Sequence, residues 1–331
     1  MITQRHVAEE AGVSQATVSI VLQGRSDASI PQETVERVLA AVERLGYRPN
    51  RYAQALRTSR TRTIACLVPD ITNPFYPALV RGVQKEAEDR DYDVLVINTD
   101  GTEERERYYV EWARHGRVDG VVGAFFHLRV DDFRPLIGEN IALVRIESSR
   151  KNGGELPIDD IFVDNQKAAA EIGEFLVSKG HRRIAIVAGQ GGPQRVRVEG
   201  CRDALQNHGI EPLIALDASF TEDGGARAVE QLLSGPSVPT AVFAANDLMA
   251  IGAMRALRAR GLEIPGDVAV VGFDDISAAS LVTPGLTTVA QFQKDMGAYA
   301  AQILMDRLAG TLTGPGTTHE LGYAAIMRAS A

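Results

Sequence analysis

Two short helix-competent segments joined at a glycine, Thr3 to Leu22 (TQRHVAEEAGVSQATVSIVL), constrain this chain more than any other part of it. Val7, Ala8 and Ala11 fall at i, i+1 and i+4, an apolar stripe that one helix can bury. Gly12 follows, free to take the left-handed conformation that ends a helix and turns the chain. Ser14 is placed to cap a second helix, whose Val18, Val21 and Leu22 share a face. With an outward Gln15-Ala16 pair, these are the parts of a helix-turn-helix, whose second helix enters the DNA major groove. Taken alone, the segment also fits an ordinary helical hairpin.

Overall charge points away from DNA: Lys+Arg 35 against Asp+Glu 43 leaves a net charge of -8. The charge is unevenly spread, however. Residues 1 to 62 hold nine Arg and six acids, whereas the rest holds 26 basic and 37 acidic residues. Five Arg and no acid lie between Arg48 and Arg62. A basic head on an acidic body is the asymmetry expected when one end meets phosphates.

The 331 residues, 45% hydrophobic, suffice for two or three compact domains. No run of eighteen apolar residues is present to span a membrane. The N-terminus has no charged-then-apolar leader, so a cytoplasmic protein is expected. Cys66 and Cys201 are far apart in core-like sequence and read as inert buried thiols.

Val35, Val38, Leu39, Val42 and Leu45 mark a third helix, with Pro31 near its start and Gly46 beyond its end. Pro49 then biases Arg48 away from helix. Arg51 to Thr58 is helix-competent but too short to hold alone, and is expected to form when docked on DNA.

Beyond Thr63 the texture becomes βαβ. Nine apolar runs read as strands, at 64–68, 93–97, 118–124, 142–146, 161–163, 184–188, 241–244, 268–273 and 287–289. Helical patterns at 75–90, 103–116, 165–180, 194–209, 224–235, 247–261 and 293–310 separate them. The alternation predicts an α/β body of doubly wound parallel sheets, and nine strands predict two similar halves. Ligands in such folds sit at the carboxyl ends of strands or between domains.

Polar residues gather at those strand ends: Asp70 to Phe75, Arg145 and Glu147, Arg195 and Arg197, Asn246-Asp247, and Asp274-Asp275. Carboxylates, amides and arginine beside Phe75 and Phe220 suit a polyhydroxylated ligand. The same residues also suit helix caps, the role expected of Asp247 and Asp275. Rival chemistry is weaker. Gly189-Gln190-Gly191-Gly192 lacks the spacing of a dinucleotide loop. Adjacent Asp274 and Asp275 point apart and have no second catalytic carboxylate, and the six His show no metal spacing. Neither an enzyme, a metal site nor a cofactor is expected.

Seven blocks carry a resemblance. They are V-A-x-x-A-G-V-S-x-x-T-V-S at Val7-Ser19, Y-x-P-N-x-x-A-x-x-L at Tyr47-Leu56, N-P-F-Y at Asn73-Tyr76, R-x-x-G at Arg197-Gly200, A-N-D-x-M-A-x-G at Ala245-Gly252, V-x-G-F-D-D at Val270-Asp275 and L-T-T-V at Leu286-Val289. Over essentially its whole length the chain resembles the lac repressor (LacI/GalR) family of transcription regulators. The resemblance implies a helix-turn-helix head (1–47), a hinge helix and linker (48–62) and a two-lobed body like periplasmic sugar-binding proteins (63–331). Lobe 1 is expected at about 63–161 and 291–320, and lobe 2 at about 162–290 and 321–331, with three crossings between them. It also implies a repressor of pseudo-palindromic operator DNA, controlled by a small molecule between the lobes. That effector is a carbohydrate in most of the family, although nucleobases also occur. A solute-binding receptor without regulatory function is the alternative, opposed by the head.

Carried over residue by residue, the implied DNA contacts are Ser14, Gln15, Ala16, Thr17, Ser19, Ile20, Asn50, Arg51 and Leu56, the last as a minor-groove wedge. The implied effector contacts are Asn73, Phe75, Phe125, Glu147, Arg197, Phe220, Asn246, Asp274 and Gln291. Three departures stand out. His6 replaces the acid expected three residues after Thr3, which predicts half a capping box. Ile20 replaces an Arg, which predicts apolar base contact. The chain ends at Ala331 without a leucine-heptad tail, so a homodimer is expected.

Overall fold

The computed structural model describes residues 2–22, 30–48, 60–147, 150, 155–217 and 219–331. Asn50, Arg51, Leu56 and the helix expected at 51–58 lie outside the described residues, and of Glu147 only the backbone is described. The chain forms two compact units, Met1–Thr61 and Arg62–Ala331.

The first unit contains α1 (Gln4–Ala11), α2 (Gln15–Leu22) and α3 (Gln32–Leu45). Gly12 sits at φ 64° and ends α1 as its missing Cβ allows. The Gly12 and Val13 N–H groups return to the carbonyls of Glu9 and Ala8 at 3.3 and 3.0 Å. Val7, Ala8 and Ala11 then meet Val18 of α2 and Val38 and Ala41 of α3 in a small core. Two expectations need correcting. Leu39 is 50% exposed, because one step of about 100° around α3 carries it off the stripe led by Val38. His6 makes the return half of the capping box, its Nδ1 accepting the Thr3 N–H at 3.2 Å.

In the second unit a six-stranded sheet runs β11-β5-β4-β3-β1-β2, all parallel. Its strands are β1 (Thr63–Val68), β2 (Asp93–Asn98), β3 (Gly120–Ala124), β4 (Ala142–Glu147), β5 (Ile158–Val163) and β11 (Thr318–Leu321). A four-stranded parallel sheet runs β7-β6-β8-β9, from β6 (Ile184–Gly189), β7 (Leu213–Asp217), β8 (Ala241–Ala244) and β9 (Ala269–Val271). β10 (Thr288–Ala290) and β12 (Ala324–Ile326) form an antiparallel ribbon. The chain leaves the first sheet after β5, returns to it after β10, and leaves again after β11.

Helices cover both faces of each sheet, as buried parallel strands require. α4 (Phe75–Glu88) and α12 (Gln293–Ala309) pack together on the first sheet. α5 (Glu103–Ala113) and the short α6 (Arg134–Gly138) close its other face. α7 (Asn165–Ser178) and α8 (Gln194–Asn207) pair on the second sheet, opposite α9 (Glu222–Leu233) and α10 (Asp247–Ala259). A short α11 (Ser277–Leu281) follows β9. Glycine permits the closest approach: a Cβ on Gly82 of α4 would lie 1.9 Å from the Lys294 carbonyl, and one on Gly297 of α12 2.0 Å from that of Leu79.

Twelve strands appear among the described residues where nine apolar runs are expected. Edge strand β11 carries a single apolar residue, Leu321, and β12 is three residues of the ribbon, whereas β7 is an apolar run, Leu213 to Leu216, that the expected set passed over. β5 begins at Ile158, ahead of its expected start, because two buried acids inside it are paired. Asp160 takes both Nε and Nη2 of Arg145 at 2.8 Å, and Asp159 takes Arg307 Nε at 2.7 Å. Arg145, a candidate at a strand end, is thereby committed to the fold. Among the described residues no helix is long and apolar enough to cross a membrane.

Candidate functional site

On the head, Ser14 Oγ accepts the Thr17 N–H at 3.1 Å and lies 2.9 Å from the Thr17 hydroxyl, so it caps α2. Gln15 and Ala16 stand exposed in the first turn, with Thr17 and Ile20 half-buried. Ser19, also an expected contact, is more enclosed. It is 8% exposed, one step from fully buried Val18.

The body's candidate site lies where the carboxyl ends of both sheets face each other, the position favoured in such folds. A cavity of about 730 Å³ opens there. Asp70, Asn73, Phe75 and Tyr76 line it after β1, and Phe125 and Phe126 after β3. From the second sheet come the β6–α8 loop and the first turn of α8 (Gln190–Arg197), Phe220, Asn246 and Asp274, with Gln291 at the crossing after β10. All expected effector contacts except Glu147, whose side chain is not described, line this one cavity.

Its polar centre is Arg197, 4% exposed. Nη1 lies 3.1 Å from Asp274 Oδ1 and donates to the Ala245 carbonyl at 2.7 Å. Nε donates to Asn165 Oδ1 at 2.7 Å, and the guanidinium stacks 3.9 Å from the Phe273 ring centroid. Burial lowers the Arg197 pKa while Asp274 opposes that shift. Asp274 also accepts Gln291 Nε2 at 2.7 Å. Its backbone takes φ 121°, unusual for a side-chain-bearing residue, with its N–H on the Val289 carbonyl at 2.9 Å. Burial pushes its carboxyl up to about 6, against the pull of Arg197.

The neighbouring polar groups divide between capping and lining. Asn73 Oδ1 accepts the Phe75 N–H at 3.1 Å, and Asn246 Oδ1 the Met249 N–H at 2.8 Å. Asn246 also donates to the Phe220 carbonyl at 3.0 Å, which fixes that aromatic segment. Asn246 caps α10, Asn73 closes an Asx turn just ahead of α4, and both line the cavity. Asp247 is fully buried outside the cavity, and burial followed by the charge of Asp274 lifts it to about 7. Asp275 is bound to Arg328 at 2.7 Å. Tyr76, edge-on to Phe75 at 5.1 Å, has its hydroxyl pKa pushed well up by burial and then by Asp274.

Sequence reasoning missed Phe126 and Asn165 as cavity residues. Phe126 follows a recognised strand and was within reach of the strand-end rule. Asn165 sits beside the α7 cap Asp164, and only the fold reveals that its amide orients Arg197.

Comparison with known proteins matches both ends of the chain to described domains. Residues 3–50 match the bacterial regulatory proteins of the lacI family, and residues 174–331 a periplasmic binding protein-like domain. The ribose operon repressor of Escherichia coli (strain K12) is 35% identical over 315 residues, covering 93% of each chain. The structure of the lac repressor dimer bound to operator and the anti-inducer ONPF superposes with TM-score 0.86 at 28% identity, covering 99% of this chain and 98% of that one. A LacI-family regulator from Enterococcus faecium with bound ribose gives TM-score 0.72 at 30% identity, covering 81% of this chain and 98% of that one.

Proposed function

Starting from the lacI family of bacterial regulatory proteins, to which this chain belongs, we propose that a sugar held between the two sheets controls how tightly two copies of the chain hold a pseudo-palindromic operator. The chain is a sequence-specific DNA-binding transcriptional repressor governed by a small-molecule effector. The observation that carries the sugar reading is the buried Arg197–Asp274–Gln291 constellation in a cavity bordered by Phe75 and Phe220. A fixed donor, a fixed acceptor and ring faces are what a hydroxyl cluster on a small ring needs. The protein acts in the cytoplasm as a homodimer, needs no cofactor and catalyses no reaction.

DNA recognition falls to the exposed start of α2. Ser14 and Thr17 hold phosphates, while Gln15, Ala16 and Ile20 read base edges. Asn50, Arg51 and Leu56 extend the contact toward the operator centre. In the body, lobe 1 comprises about 63–161 and 291–320, and lobe 2 about 162–290 and 321–331. A ligand touching both favours one closure angle, and that difference in affinity between states is what regulates.

Selection of duplexes from a random library by the full-length protein tests the DNA half, and a palindromic motif is expected. Melting of the protein with D-ribose and a panel of other sugars tests the effector half. A ligand at one hundred times its Kd adds about 2.7 kcal/mol of stability. A protein that enriches no motif, or that no sugar stabilises, defeats the corresponding half.

A further inference from the structure

Across the cleft one aromatic ring touches both lobes. Phe126 follows β3 of the first sheet, yet its ring lies against Gly192, in the β6–α8 loop of the second. A Cβ added at Gly192 would stand 3.1 Å from Phe126 Cε2 and Cζ. Gly101, after β2, is the ring's contact within its own lobe, where an added Cβ would stand 3.3 Å from Cδ2. The ring thus lies between two glycines from opposite lobes, and a side chain at either would crowd it. Phe125 does otherwise, packing edge-on to Phe133 at 4.8 Å within the first lobe.

The backbone beneath Phe126 is fixed from behind. Glu106 on α5 is fully buried, and a buried carboxylate is costly unless hydrogen-bonded. Its acceptors are consumed by consecutive amides: Oε1 takes the Phe126 N–H at 2.7 Å, and Oε2 those of His127 and Leu128 at 3.1 and 3.3 Å. His127 Nε2 lies 2.9 Å from the Gly101 carbonyl, joining this loop to the one after β2. Exposed His127 shows that the loop sits at the rim of the cleft.

We propose that Phe126 is a latch residue that holds the lobes together over the effector cleft, and that Glu106 is its positioning residue. The idea rests on the cleft being the effector site. Closure then depends on an aromatic-to-backbone contact as well as on the bound ligand. The latch sets how wide the mouth opens and therefore how large a ligand enters.

Distances between spin labels in the ligand-free, full-length protein test the latch. Glu104→Cys and Gln206→Cys place one label on an exposed site of each lobe. The native Cys66 and Cys201 are buried with thiols pushed up to about 12, so they stay unlabelled. Dilution with unlabelled chain isolates the distance within one copy. Phe126→Ala is expected to lengthen and broaden the distribution, while Phe126→Tyr, which keeps the ring, restores it. Glu106→Gln should speed hydrogen exchange at the 126–128 amides about tenfold, the factor expected from losing a charged acceptor. It should also shift the distances toward those of Phe126→Ala. Unchanged distances in Phe126→Ala overturn the latch, and unchanged exchange in Glu106→Gln overturns the positioning role. Failure of the effector reading would appear elsewhere, as a parent protein that no sugar stabilises.

Discussion

Thr288 donates its hydroxyl proton to Asp247, with Oγ1 2.5 Å from Oδ1. The other carboxylate oxygen of Asp247 accepts the Ile276 N–H at 2.8 Å. A single buried side chain at the start of α10 therefore ties the crossing ribbon to the segment that follows β9. That segment carries Asp274 and Asp275 at φ 121° and 56°, conformations that need outside support. Asp247 stays out of the cavity and helps hold the geometry of the residue that lines it.

Stability should fall as pH rises from about 4 to about 7, with Asp247 and Asp274 as the cause. Burial lifts these carboxyls to about 7 and about 6, so over this range the folded state binds more protons than the unfolded one. Their contribution is full below the unfolded value and lost as pH passes the folded ones. Asp247→Asn keeps a partner for Thr288 without the charge and should flatten the dependence. Urea titrations at pH 5 and pH 8 measure it. An equal pH dependence in parent and variant would clear Asp247 of the effect.

Asp274→Asn is the informative change in the cleft. Arg197→Ala would leave Asp274 buried and unpaired, at about 3–5 kcal/mol, which confuses lost binding with lost folding. Asn at 274 removes the counter-charge of Arg197 but still accepts from it and from Gln291, and the guanidinium keeps Asn165 Oδ1 and the Ala245 carbonyl as acceptors. Operator affinity should survive while the response to a stabilising sugar weakens about tenfold or more, as for a lost hydrogen bond to a charged group. Calorimetry with the sugar that most raises the parent's melting temperature decides it. Parental affinity in the variant would remove Asp274 from the ligand.

The sequence made the sheets legible because their central strands, such as β6 and β8, are buried on both faces and read as unbroken apolar runs. It hid β11, an edge strand whose Thr318-His319-Glu320-Leu321 holds one apolar residue, whereas β7 was readable as the run Leu213 to Leu216. It also hid the acids of β5, which look like loop until Arg145 and Arg307 arrive from distant segments. The cleft was legible where polar residues end strands, as at Asn73, Asn246 and Asp274. Glu106 was illegible because an acid in the first turn of a helix reads as dipole compensation, and only the fold shows it buried beneath the 126–128 loop.

Gly297→Ala should damage the first lobe more than an ordinary surface change. The added methyl meets the Leu79 backbone carbonyl at 2.0 Å, and Gly82 makes the reciprocal approach from α4. The two helices must separate, so the expected loss is about 1–3 kcal/mol or more. Because α12 begins just after Gln291, separation should also reduce sugar binding. Denaturation midpoints of Gly297→Ala and Gly82→Ala provide the check. A variant as stable as the parent would show that the helix pair tolerates spreading.

Gln15→Ala should change which sequence the protein prefers more than how firmly it grips DNA in general. Gln15 is exposed in the first turn of α2, and its amide can pair with adenine N6 and N7. Ser14 Oγ caps α2 as an acceptor and leaves its hydroxyl proton for a phosphate, so its replacement by Ala should cost about 0.5–2 kcal/mol of head stability and affect all sequences alike. The Gln15 variant should lose about 1–3 kcal/mol at one base pair in each half-site and little elsewhere. Selection from a random duplex library, run for parent and both variants at one salt concentration, separates these effects. An unchanged motif with Gln15→Ala would transfer the reading role to Ala16 and Ile20.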